Sequence, residues 1–83
     1  MKFKAEIDVM PLEALLDPQG KAVSQSMVNL GLPEITNVRI GKHIRIFIEA
    51  ASIAEAESKT EEACKKLLVN EIMEGYSFTV SEA

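Results

Sequence analysis

Apolar and charged residues alternate from the second position of the chain: Phe3, Ala5, Ile7 and Val9 fall on one side of an extended segment, Lys2, Lys4, Glu6 and Asp8 on the other. A period of two is that of a half-buried strand, and Pro11 ends it. The period then changes. Asp17 has the carboxylate that an N-cap uses to accept from orphan backbone N–H groups, and Pro18 suits the first helical position, where no N–H is needed. Ala22, Val23, Met27 and Leu30 follow at helical spacing, Gly31 can take the left-handed conformation that closes a helix, and Pro33 prevents re-entry.

Two further extended segments flank Gly41. Val38 and Ile40 alternate with Asn37 and Arg39, and Ile44, Ile46 and Ile48 alternate with Arg45, Phe47 and Glu49. A two-residue loop at Gly41 and Lys42 would pair Ile40 with His43 and Arg39 with Ile44, mixing apolar and basic side chains on one face. Pairing Ile40 with Ile44 across a three-residue connection restores an apolar face. The pattern therefore predicts a longer turn or a bulge, with Gly41 at an angle other residues resist and Lys42 and His43 at the tip.

The second helix opens at "SIAE", where Ser52 and Glu55 have capping-box spacing. Ala56, Thr60, Ala63, Cys64, Leu67 and Leu68 share one face, and Glu57, Lys59, Glu61, Glu62, Lys65 and Lys66 occupy much of the rest. In the last segment Tyr76, Phe78 and Val80 alternate with Ser77, Thr79 and Ser81, a final strand. The order is β-α-β-β-α-β, the split arrangement of ferredoxin-like folds. The expected fold is α+β: one domain over residues 1–83, an antiparallel sheet, and both helices on one face. The other face would carry Lys2, Lys4, Glu6, Arg45, Phe47, Glu49 and Thr79. Phe47 is the odd member there and the best single candidate for a contact with another subunit.

A chain of 83 residues buries only about 60% of its unfolded surface. One Cys permits no disulfide within the chain, and no Cys/His cluster suggests a structural metal, so oligomerisation is the expected support. The apolar fraction of 47% describes a globular chain. "MKFKAEIDVM" has no secretory pattern, and no run of about 18 apolar residues offers a membrane span. An unpaired Cys64 without a signal fits the cytoplasm, and a net charge of -4 counts against non-specific nucleic-acid binding.

Catalytic constellations are missing. The chain has one His and no C-x-x-C, and its glycines fall singly, without a phosphate-cradling loop. His43 has no neighbouring carboxylate in sequence to orient it as a general base, and Cys64 sits on an apolar helical stripe, where packing is the simplest role. The one local charge feature is the acid-free stretch between Glu34 and Glu49, which holds Arg39, Lys42, His43 and Arg45. It is either the water-facing side of a strand pair or a positive patch for an acidic surface or a phosphate.

"DPQG" at 17–20, "VRIGK" at 38–42 and "CKKLLVN" at 64–70, followed by Tyr76, closely resemble the PurS family, the small subunit of phosphoribosylformylglycinamidine synthase. The resemblance covers essentially the whole chain. It carries over to Asp17, Pro18, Gly20, Arg39, Gly41, Lys42, Cys64, Leu67, Leu68, Asn70 and Tyr76. The resemblance implies a dimeric, non-catalytic adaptor, with a higher oligomer of the isolated chain also allowed. Its partners would be a PurL-type synthetase, which binds ATP and magnesium, and a PurQ-type glutaminase, with no cofactor on the small subunit itself. Together they convert formylglycinamide ribonucleotide to its amidine. Caps and turns account for Asp17, Pro18, Gly20 and Gly41, which leaves Arg39 and Lys42, with His43, as the expected docking edge. Arg45 and Phe47 stand where the family tends to carry acids, so Phe47 is assigned to this chain's own dimer contact. The competing expectation is a free-standing ACT-like domain that binds a metabolite at a dimer interface.

Overall fold

The structure, a computed structural model, describes residues Met1–Ala83. Strand β1 (Lys2–Pro11) is followed by helix α1 (Pro18–Asn29), strand β2 (Lys42–Glu49), helix α2 (Ile53–Ala63), a π-helical turn (Cys64–Leu68) and strand β3 (Glu74–Glu82). The three strands form one antiparallel sheet in the order β2-β1-β3.

The alternation in β1 has the consequence its period requires. Phe3, Ala5, Ile7 and Val9 are buried on the inner face, and each large side chain so enclosed is worth about 1.5–3 kcal/mol. Ile7 and Val9 pack with Cys64 and Val69, and Phe3 packs with Ala50 and Ala56, so α2 and its continuation cover the centre of the sheet. The flanking strands are less enclosed: Ile44, Ile46 and Ile48 of β2, and Phe78 and Val80 of β3, are half-buried. On the outer face Lys4 stands opposite Phe47, Glu6 opposite Arg45, and Asp8 opposite His43.

Both helix starts are side-chain capped. Asp17 accepts from the Gly20 N–H at 3.0 Å, and Ser52 accepts from the Glu55 N–H at 3.2 Å. Helix α1 closes on Gly31 at φ 82°, with the Leu32 and Gly31 N–H groups donating to the Met27 and Val28 carbonyls, the bonds of a Schellman motif.

Three expectations are corrected. Residues 37–40 belong to no strand of this chain, because the backbone runs on through Gly41 into β2 without turning, and no hairpin forms. A Cβ on Gly41 would lie 2.1 Å from the Val9 carbonyl oxygen, so the close approach is to β1. Lys42 and His43 accordingly open a strand instead of capping a tip. Helix α1 does not lie on the sheet; Gly20 is its one buried residue, Ala22 is exposed, and the following Leu30 is 72% exposed. Leu67 points outward at 83% exposure, because the chain widens after α2 and the Val69 N–H donates to the Cys64 carbonyl five residues back, shifting the face presented to the core.

Candidate docking site

The segments "DPQG" and "VRIGK" interlock. The second carboxylate oxygen of Asp17 accepts from the Ile40 N–H at 2.9 Å, so one side chain caps α1 and ties the helix to residues 38–40. Those two backbone N–H groups, Ile40's first, hold the Asp17 carboxyl below the usual carboxylate range. Gly20 lets the Val38 carbonyl approach so closely that a Cβ would lie 2.2 Å from its oxygen. Ser24 accepts from the Val38 N–H at 3.1 Å. Helix α1 and residues 38–40 thus form one arm.

Arg39 fastens the arm to the loop after β1, donating to the carbonyls of Leu12 at 2.7 Å and Leu15 at 3.0 Å. Its Nε–H is enclosed and meets no acceptor. Beside it lies a groove of about 480 Å³ whose polar lining includes Asp17, Lys21, Ser24, Asn37 and Arg39.

The basic residues of the sequence divide among different surroundings. Lys42 is 3.6 Å from Glu74 and lines a second groove with Gln19 and Gly41. His43 stands on the outer face of the sheet between two carboxylates: Nδ1 is 2.7 Å from Asp8 Oδ1, and Nε2 contacts Glu6. Two acceptors on two ring nitrogens require both to carry protons, so the imidazolium is favoured and the His43 pKa is raised, by Asp8 first and Glu6 second. Arg45 Nε donates to Glu6 at 2.5 Å; His43 first and Arg45 second hold the Glu6 carboxyl below its ordinary range. Phe47, 58% exposed on the same face, has the Lys2 ammonium 5.8 Å from its ring centre.

Glu6, Asp8 and Ser24 are the residues that sequence reasoning missed. Their signal is positional: Glu6 and Asp8 occupy alternate outward positions of β1, and only the β1–β2 register places them beside His43. Cys64 is fully buried, and burial pushes its thiol pKa up. Tyr76 donates from its hydroxyl to Glu61 at 2.5 Å and is pushed up to about 12 by that carboxylate. No three His, Cys, Asp or Glu side chains converge as a metal site, and no helix is long and apolar enough to cross a membrane.

The sequence model of the PurS family, described as phosphoribosylformylglycinamidine (FGAM) synthase, matches residues 4–82. The chain is 35% identical over 80 residues to the synthase subunit PurS of Bacillus subtilis, an alignment covering 96% of this chain and 94% of that one. It is 37% identical over 79 residues to PurS of Synechocystis, covering 95% and 79% respectively. Among solved structures, B. subtilis PurS superposes with a TM-score of 0.86 at 36% identity, covering 96% of this chain and 99% of that one. A chain of the PurLQS structure from Thermotoga maritima superposes with a TM-score of 0.89 at 28% identity, covering 98% and 99%. With the family's sequence model spanning nearly the whole chain and the same fold in its solved members, this chain belongs to the PurS family.

Proposed function

We infer that the chain is the small subunit of phosphoribosylformylglycinamidine synthase, an adaptor that joins a PurL-type synthetase to a PurQ-type glutaminase in purine biosynthesis. The observation that carries this reading is its near-complete likeness to a chain of the T. maritima PurLQS structure. Glutamine-derived ammonia must reach the synthetase before water dilutes it, which rewards fixed placement of the two catalytic chains. ATP and magnesium belong to the synthetase, and the assembly works in the cytoplasm. The adaptor is a homodimer with Phe47 at a subunit contact.

Arg39, Lys42 and His43 form the docking edge in this reading. The Lys42 and His43 side chains are 52% and 47% exposed, and Arg39 acts through the loop carbonyls it holds. The test is glutamine-dependent amidine synthesis by the synthetase and glutaminase of the same cell, with and without this chain, alongside size-exclusion chromatography. Activity and a ternary complex that appear only with the chain are the expected result; full activity without it would sink the adaptor reading. Lys42→Ala with His43→Ala should weaken assembly while the isolated chain stays folded, and unchanged assembly would remove those two residues from the edge.

A further inference from the structure

The loop after β1 and the turn before β3 meet at one end of the sheet and are tied together. The Leu12 N–H donates to the Met73 carbonyl at 2.9 Å, and Arg39 holds the Leu12 and Leu15 carbonyls. Within the turn, the Met73 and Glu74 N–H groups donate to the Asn70 carbonyl at 2.9 and 2.7 Å. The Asn70 side chain accepts from the Ile72 N–H at 3.2 Å, and the Glu74 carboxylate accepts from the Asn70 N–H at 2.9 Å. These backbone groups are spent on one another, yet the side chains beside them stay in water: Leu16 is 76% exposed, Ile72 84% and Met73 53%.

A single exposed apolar side chain is ordinary, whereas several beside a hollow and rimmed by polar groups mark a surface that meets another molecule. The hollow here measures about 220 Å³ and is lined by Pro11, Leu15, Leu16, Met73, Asn70 and Glu74. It is smaller than the about 300–1,000 Å³ of sites that enclose small molecules, and its lining holds no cation for a phosphate or carboxylate. Its size and lining suit one large apolar side chain of another protein.

The rim gives the sign of that protein's charge. Glu74 is already engaged, by the Asn70 N–H and by Lys42 at 3.6 Å. Glu13 and Glu71, chain neighbours of Leu12 and Ile72, are exposed, and neither forms an ion pair within this chain. Lysine or arginine flanking the incoming apolar side chain would complement them. We propose that this hollow grips a catalytic chain of the synthase, taking an apolar anchor from a segment whose basic flanks meet Glu13 and Glu71. The proposal deepens the adaptor reading above and rests on it.

The test uses the full chain with the synthetase and glutaminase of the same cell. Leu16→Asp with Ile72→Asp changes two side chains that stand mostly in water, so the melting temperature of the isolated chain should hold, while its dissociation constant from the catalytic chains rises at least about tenfold. Glu13→Lys with Glu71→Lys, which touches no core residue, should slow association about tenfold at low salt. Wild-type assembly with an unchanged constant for the Leu16/Ile72 variant overturns the hollow and leaves the adaptor reading standing, whereas no assembly by the wild-type chain overturns both. If that variant instead lowers the sedimentation mass of the isolated chain, the occupant is a second copy and the proposal falls. An unchanged association rate for the Glu13/Glu71 variant overturns the basic flanks.

Discussion

Asp17 is a capping residue with a second task. Its pKa is depressed in the folded chain, so its contribution is complete above the ordinary carboxylate range and is lost as pH falls through the folded value. Hydrogen exchange at the Ile40 amide should therefore quicken relative to the rest of the chain on acidification, and Asp17→Ala should remove the protection at neutral pH. His43 has the opposite sign. Its folded pKa is raised, so the tie between β1 and β2 is fully present below the usual imidazole value and is lost as pH rises through the folded one. An NMR titration should place the His43 midpoint above that of free histidine, and Glu6→Gln with Asp8→Asn should bring it back. The Asp17 cap was legible because capping joins residues three apart. Its bond to Ile40, 23 residues away, and the flanking of His43 by Glu6 and Asp8 depend on strand register and tertiary approach, which no local spacing carries.

Among the elements, periodicity located β1, both helices and the last strand, because each has a buried face with its own repeat. It misplaced whatever depends on how elements meet. An alternating segment ending at a glycine is equally compatible with a hairpin and with a backbone that leads straight on, and residues 38–41 take the second course, entering β2 at Lys42 without a turn. Gly41 is needed for space at β1, and Gly20 for space at Val38. Either one changed to Ala should lower stability by about 1–3 kcal/mol through overpacking, read from the urea midpoint. Gly31→Ala, where φ is 82° and the space is open, should cost only about 1 kcal/mol. The π-helical turn after α2 also escaped the helical period: one extra residue in the turn carries Cys64 and Leu68 inward and leaves Leu67 outside.

For the molecule as a whole, 10 of 83 residues are buried, and the core lies in two small clusters under one helix. Removing one of its few large side chains, as in Ile7→Ala, should cost about 2–5 kcal/mol, most of what a domain of this size holds in reserve. The adaptor role was legible through motifs, since the composition showed only that catalytic groups were lacking. The arm explains why two of those motifs, at 17–20 and 38–42, lie so far apart in sequence: they are the two halves of one joint. A sheet whose outer strand β2 has an unpaired edge, in a chain read as half of a homodimer, also sets a clock. In the homodimer the last step of refolding is an encounter between two copies, and its rate rises in proportion to protein concentration until some internal step becomes slower. Stopped-flow refolding over a hundredfold dilution series should show this second-order phase. In a growing cell the same dependence would tie the appearance of working adaptor to the rate at which ribosomes release new copies near one another.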